Sequence, residues 1–373
     1  MKNKLPYLEF LEQELKLPAK QPTEPLVIDL FAGSGGLALG FEAAGFRTVG
    51  YEILEDACTT YRHNLHSSCY QVNLTPLSNL VDGATAIIGG PPCQPFSVGG
   101  NQLGLKDSRD GFPTFICAVK RYRPKLALFE NVRGMLFRNK AYFEEIVIAL
   151  QSLGYIVEWE VLNAANYGVP QKRERLFCVA HQGGWKWPEK THLYSSYTAG
   201  EALGELAFST ASDSKFLTHS MDEYVKKYEM ASKCIRPRDL HLDAPSRTVT
   251  CRNLCGATGD MLRIRLPDGR RRRLTVREGA RLQSFPDWFQ FNGSENSQFN
   301  QIGNAVPPLL AKALARSVKA YLDNSEKISS SEIFQPTQYI QLSLELGIDI
   351  LEKPARKDCK SHRRGIATDA RSF

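Results

Sequence analysis

One cysteine stands among three prolines in the stretch GGPPCQPFS, Gly89 to Ser97. Proline fixes φ and cannot donate to a hydrogen-bond ladder. Cys93 therefore belongs to a shaped turn rather than to a helix interior or a central strand. Alone, such a thiol reads as a small inert hydrophobe. Its company elsewhere in the chain changes that. Glu130-Asn131 ends the apolar run KLALF, and QKRERLF sets Gln171, Arg173 and Arg175 on one side of an extended segment, because side chains alternate along a strand. Together these residues offer a nucleophile, a carboxyl group and fixed cations. A free thiol is only a few per cent ionised at pH 7, and neighbouring cations favour the thiolate. A carboxyl group held partly protonated can neutralise charge that develops on a substrate. Arginine can hold a carbonyl oxygen through two donors.

A second constellation begins at Asp29 with DLFAGSGGLALGF. A glycine-rich turn between strand and helix lets backbone approach a ligand closely and aims helix N–H groups at it. Glu52 ends the next apolar segment, at the distance where an acid accepts ribose hydroxyls. Gly33, Gly35 and Ala38 also satisfy G-x-G-x-x-A, so the loop by itself does not separate a nicotinamide dinucleotide from S-adenosylmethionine.

The segments that must carry these residues alternate. LVIDLF, FRTVGYE, ATAIIGG, KLALFEN, YIVEWEVL and RLFCVA read as strands; LALGFEAAG, ILEDACTTYRHNL and KAYFEEIVIALQSLG read as helices. That order predicts an α/β fold with an open, mostly parallel sheet covered by helices on both faces. The Gly33 loop, Cys93 and Glu130 all fall after strands, at the edge where such sheets bind ligands. After about His181 the chain turns polar, with a hairpin expected around Pro267-Asp268-Gly269. Regular structure returns in PPLLAKALARSVKAYL, where Leu310, Leu314, Val318 and Tyr321 share one helical face. The first 24 residues read as a small amphipathic helix and linker.

The 373 residues carry a net charge of +7 and 42% hydrophobic residues, values of a globular protein that leans toward a polyanionic partner. The cations concentrate in RIRLPDGRRRRLTVREGAR and in the C-terminal KPARKDCKSHRRG. The first of these makes Arg263 to Arg273 a candidate phosphate-binding hairpin. No apolar run is long enough for a membrane span, and the N-terminus lacks a secretory pattern. Nine cysteines in irregular spacing indicate a reducing, cytoplasmic setting. The one close pair, Cys251 and Cys255, has no partner pair, so no metal site is expected.

One reaction uses all of these parts. Carbon 5 of a pyrimidine is a poor nucleophile, but a thiolate added at carbon 6 turns it into an enamine-like carbon able to attack a sulfonium methyl. A carboxylic acid at ring N3 and an arginine at the carbonyl would assist. At this point the chain resembles the bacterial-type DNA (cytosine-5)-methyltransferases over about residues 26 to 322. DLFAGSGG and YE resemble their cofactor elements, GGPPCQPFS their nucleophile loop, ENV their glutamate motif and QKRER their arginine motif. RRRLTVREGARLQSFP and QIGNAVPP resemble the two closing motifs, in the family's order.

The resemblance implies a Rossmann-like S-adenosylmethionine-dependent methyltransferase domain with a smaller DNA-recognition domain. It implies Cys93 as nucleophile, Glu130 as the N3 partner, and Arg173 and Arg175 as orienting cations. Cofactor contacts are implied for Phe31, Gly33, Ser34, Gly36, Glu52, Ile53, Asn73, Leu74, Pro92, Asn304 and Ala305. Asn73-Leu74 departs from the usual Asp-Ile beside the adenine, and the Asn carbonyl can still accept an amino proton. SVGGNQLGLKDSRDG, with Gly99, Gly100 and Gly104, resembles the loop that closes over DNA. The target base would have to leave the duplex to react.

The expected organisation is an extension over 1–25, a catalytic domain over 26–180 plus 298–322, a recognition domain over 181–297 and a tail over 323–373. The implied partner is double-stranded DNA, with no membrane. The implied setting is a nucleoid-associated monomer serving a restriction-modification system beside a restriction endonuclease. An RNA cytosine-5 methyltransferase on the same catalytic domain is the alternative. It is disfavoured because the Cys-Phe-Thr tripeptide of the tRNA-methylating branch is absent. A nicotinamide-dependent oxidoreductase would leave Cys93, Glu130 and QKRER without a task.

Overall fold

A computed structural model describes residues 4–19, 23–92, 110–210, 214–231, 238–256 and 259–328. Cys93, most of the expected closing loop and the basic C-terminal stretch lie outside the described residues.

Strands β1 (Leu26–Leu30), β2 (Arg47–Glu52), β3 (Cys69–Gln71), β4 (Ala86–Gly89) and β5 (Leu126–Val132) run parallel. With β6 (Ile156–Asn163) and the antiparallel β8 (Glu174–His181) they form a seven-stranded sheet ordered β3-β2-β1-β4-β5-β8-β6. A two-residue strand β7 (Gln171–Lys172) precedes β8 and pairs instead with β9 (Ser246–Arg247). The mostly parallel α/β sheet expected from the alternation is present. Within the alternating region up to His181, the three-residue edge strand β3, too short to show a pattern, and a helix over Phe112–Tyr122 escaped that reading.

The helices are α1 (Tyr7–Leu15), α2 (Gly36–Glu42), α3 (Glu55–Asn64), α4 (Phe112–Tyr122), α5 (Lys140–Ser152), α6 (Ala199–Leu203), α7 (His219–Ala231), α8 (Cys251–Cys255), α9 (Val276–Leu282), α10 (Glu295–Asn304) and α11 (Pro308–Ile328). Alternate strand residues feed two apolar layers. Val27, Ile88 and Leu128 pack with α2 and α11, and Ile28, Ile87 and Phe129 pack with α4 and α5. This two-sided burial is why the strands are nearly continuous apolar runs. Leu310, Leu314, Val318 and Tyr321 are all buried, as their spacing predicts. The α2–α11 layer runs on without a break into Val249, Leu254, Leu262, Ile264 and Leu274.

The strand order reverses between β1 and β4, which are adjacent although β2 and β3 intervene in sequence. Loops leaving neighbouring strands in opposite directions open a crevice there, the usual ligand position in such sheets. In register, Leu30 pairs with Gly89 and Gly89 with Phe129. The loops after β1 and β4 and the end of β5 therefore reach the same edge together. β10 (Arg263–Arg265) and β11 (Arg271–Arg273) form the expected antiparallel hairpin, with Gly269 in the left-handed region its turn requires.

Candidate active site

The turn after β1 is strained and rich in unused polarity. Phe31 has φ +58°, unusual for a side chain of its size, and Gly33 and Gly35 follow at +54° and +88°. Gly33 N–H donates to Glu52 Oε2 at 2.8 Å, while Ile53 and Leu54 N–H both donate to Glu52 Oε1 at 2.9 Å. Glu52 thus ties the glycine turn to the end of β2. Ser34 Oγ and Asp29 Oδ2 are buried with no hydrogen-bond partner among the described residues. Burial, and then the charge of Glu52, holds the Asp29 carboxyl well above the usual carboxylate range. A Cβ on Gly36 would lie 2.6 Å from Val306 O and 3.1 Å from Ala305 Cβ. Only glycine lets the 305–306 segment close against the start of α2. Ile53 is exposed, Asn73 is exposed just beyond β3, and Leu74 is half-buried nearby.

Across the crevice, the chain leaving β4 is pinned by two hydrogen bonds. Asn131 Nδ2 donates to Pro91 O at 3.0 Å, and Gly111 N–H donates to Pro92 O at 3.0 Å. Asn131, buried beside Glu130 in ENV, was not marked as a site residue by sequence, because an amide between a carboxylate and a valine carries no chemical signal of its own.

Glu130 sits at the level of Phe177 on β8, so its side chain is diagonal to that of Arg175. Arg175 Nε lies 3.1 Å from Glu130 Oε1, with the two side chains 15% and 12% exposed. Burial raises the Glu130 pKa, while Arg175 and then Arg173 oppose the shift; burial prevails. A Cβ on Gly90 would stand 3.8 Å from Glu130 Oε2, so the carboxyl group faces the loop that leads to Cys93.

Gln171, Arg173 and Arg175 alternate with exposed Lys172 and Glu174, as the strand period predicts. They do different work. Arg173 is buried and donates to Val249 O at 2.7 Å and Gly303 O at 3.2 Å, leaving Nε without a partner. Burial, then the charge of Arg175, pulls its pKa down to about 9. Gln171 Nε2 donates to Leu282 O and to Gln283 Oε1, its Oε1 accepts from Val249 N–H, and Gln283 Nε2 donates to Ile302 O. This buried network fastens the arginine strand to residue 249 and to the end of α10. Asn304 there is exposed and accepts from Cys251 Sγ at 2.9 Å.

Residues 26–320 match the family model of the C-5 cytosine-specific DNA methylases. The chain belongs to that family. It is 60% identical over 339 residues to the Type II methyltransferase M.AplI of Arthrospira platensis, covering 91% of this chain and 96% of that protein. It is 37% identical over 328 residues to the Type II methyltransferase M1.HphI of Haemophilus parahaemolyticus, covering 78% and 86%. The solved structure of a mutant of Spodoptera frugiperda DNMT2 superposes with a TM-score of 0.61 at 20% identity, over 79% of this chain and all of that one, a likeness of fold.

As a C-5 cytosine-specific DNA methylase, the chain transfers a methyl group to carbon 5 of cytosine in DNA, and the family's methyl donor is S-adenosylmethionine. The crevice suits that ligand. Ser34 Oγ and Asp29 Oδ2 are buried polar atoms awaiting partners, and the space beside Gly33 where a side chain would project is open. Among the described residues, no cluster of three metal-ligating side chains occurs, and no helix is long and apolar enough to cross a membrane.

The methylase's basic hairpin corrects one expectation. Arg263, Arg271 and Arg272 are only 1%, 5% and 1% exposed. Arg263 pairs with Asp239 and Glu229, Arg271 with Asp239 and Asp222, and Arg272 makes two hydrogen bonds to the fully buried Glu278. Four cations in a row look like a phosphate grip in sequence, but folding turns Arg271 and Arg272 of that row, and Arg263 before it, inward against acids. Arg265 and Arg270 remain exposed. Arg272→Ala is accordingly expected to cost about 3–5 kcal/mol of stability by stranding Glu278. Urea unfolding checks this; a loss below about 1 kcal/mol would mean that Glu278 finds other partners.

Proposed function

We propose that this chain is the modification arm of a restriction-modification system, acting as a monomer on duplex DNA beside an endonuclease of the same specificity. Its likeness to Type II methyltransferases supports that setting. The observation that carries the site reading is the Glu130–Arg175 pair at 3.1 Å, largely withdrawn from water and facing the loop to Cys93. In this reading Cys93 adds as thiolate to carbon 6 of an extruded cytosine, which makes carbon 5 nucleophilic. Glu130, whose pKa burial raises, serves ring N3 as the acid. Arg175 orients that carboxyl group and the base carbonyl. Arg173 is a positioning residue that acts through Val249 and Gly303. Elimination of the thiolate after loss of the carbon 5 proton frees the product. S-adenosylmethionine supplies the electrophilic methyl group when bound. Phe31, Gly33, Ser34, Gly36, Glu52, Ile53, Asn73, Leu74, Pro92, Asn304 and Ala305 would hold it. Residues 181–297 would read the DNA sequence.

The test is a base-resolution map of 5-methylcytosine in DNA from a methylation-free host expressing the chain. Methylation at one short motif is expected. Methylcytosine confined to the host's RNA would replace this reading with the RNA alternative.

A further inference from the structure

Burial of the hairpin arginines leaves the question of which cations meet DNA. Three others converge on one carboxylate, Asp260. Arg238 Nη1 and Arg247 Nη1 lie 2.9 and 3.5 Å from its Oδ1, and Arg252 Nε lies 3.2 Å from its Oδ2. Their side chains are 35%, 36% and 79% exposed, more open to water than those of Arg263, Arg271 and Arg272. No other carboxylate reaches them among the described residues, so the group carries surplus positive charge. The Arg252 pair, at 79% exposure, contributes little to folding. The Arg238 guanidinium also lies 5.0 Å over the Tyr228 ring, which stacks on the exposed Tyr224.

The patch is attached to the wall of the candidate active site. Arg247 lies in β9, whose partner is Lys172, the residue before Arg173. Arg252 lies in α8, whose first residue bonds to Asn304. Between them, Val249 O receives the Arg173 guanidinium. The patch is thus joined through backbone pairing and a guanidinium hydrogen bond to the strand segment that carries Arg173 and Arg175.

We propose that Arg252, with Arg238 and Arg247 held beside it by Asp260, grips a DNA backbone phosphate near the extruded cytosine. The proposal rests on duplex DNA as the substrate. Arginine suits the task because its planar fork matches phosphate oxygens through two donors. Asp260 is a positioning residue: it fans the three guanidinium groups and offsets one of their charges. A phosphate contact should neutralise charge and release counterions without regard to sequence.

The experiment uses the full chain and two duplexes of about 30 base pairs, one with the mapped methylation motif and one without. Dissociation constants are measured by fluorescence anisotropy across roughly 50 to 300 mM KCl. For Arg252→Ala the slope of log affinity against log salt is expected to fall by about one, and affinity to drop on both duplexes alike. Arg252→Lys should restore most of the slope, because the charge returns without the fork. Asp260→Asn should steepen the slope, because the one negative charge is removed. The melting temperature of Arg252→Ala should match wild type, since that side chain is largely in water. An unchanged slope overturns the proposal, as does a loss confined to the motif duplex, which would mark a base contact. If wild-type protein shows no salt-dependent DNA binding at all, the proposal and the duplex-DNA reading fall together. If wild type binds and methylates and only the slope fails to move, the duplex-DNA reading stands alone.

Discussion

Glu130→Gln is expected to slow methyl transfer by about 10²- to 10⁴-fold at pH 7, the range of a positioned general acid. The variant keeps the size and hydrogen-bonding reach of the side chain but cannot carry a titrating proton. The argument rests on the balance at this carboxyl group. Arg175 Nε at 3.1 Å favours the anion, burial favours the neutral acid, and burial wins. The acid form is therefore populated at higher pH than for an ordinary glutamate. Its sign in the pH profile follows: the wild-type rate should fall as pH rises through the elevated Glu130 pKa. For stability, the raised pKa means that Glu130's contribution is full below the ordinary glutamate pKa and is lost as pH rises through the folded one. Single-turnover rates with saturating DNA and cofactor across pH 5 to 9 check both points. A Glu130→Gln rate near wild type, or a high-pH limb that survives in the variant, would assign the proton to another group.

Cys93→Ala is expected to abolish transfer, a loss on the order of 10⁴-fold or more, as for removal of other covalent nucleophiles. The chemistry leaves no substitute, since carbon 5 becomes nucleophilic only after addition at carbon 6. The flanking geometry supports a structural role for the prolines that the alanine variant retains. Pro91 O is held by Asn131 and Pro92 O by Gly111, and neither bond uses the thiol. The variant should therefore melt with wild type and still bind duplex DNA. Methylation assays with labelled donor, and denaturing gels that look for a covalent enzyme–DNA adduct with a carbon 5-substituted cytosine, check this. Full turnover by Cys93→Ala would refute the thiol mechanism, and an adduct formed without Cys93 would relocate the nucleophile.

The elements that position these residues were legible in the sequence wherever the signal is local. β1, β4, β5 and β8 are apolar runs because both faces are covered, β2 and the edge strand β6 are legible as shorter or alternating apolar segments, and α11 shows its buried stripe at Leu310, Leu314 and Val318. The glycine turn after Asp29 and the run of prolines around Cys93 are likewise written in short stretches, since φ restrictions belong to single residues. Even the hairpin at Gly269 follows from its turn residues.

What sequence could not decide is which charges stay in water and which polar side chains hold distant segments together. Arg271 and Arg272 occupy opposite faces of β11, yet both are buried where Arg270 is not, because acids arrive on each face. Those acids are Asp222, Glu229 and Asp239, from α7 and the chain that follows it, and Glu278 from α9. Gln171 meets Gln283 from 112 positions away, and Arg173 meets Gly303 from 130. The chemistry proposed for Cys93, Glu130 and Arg175 follows from residue type and local spacing. The burial that raises the Glu130 pKa, the clamp on Arg173 and the inward turn of the basic hairpin were set by the tertiary structure. Solvation and ion pairing depend on neighbours that only the folded chain supplies.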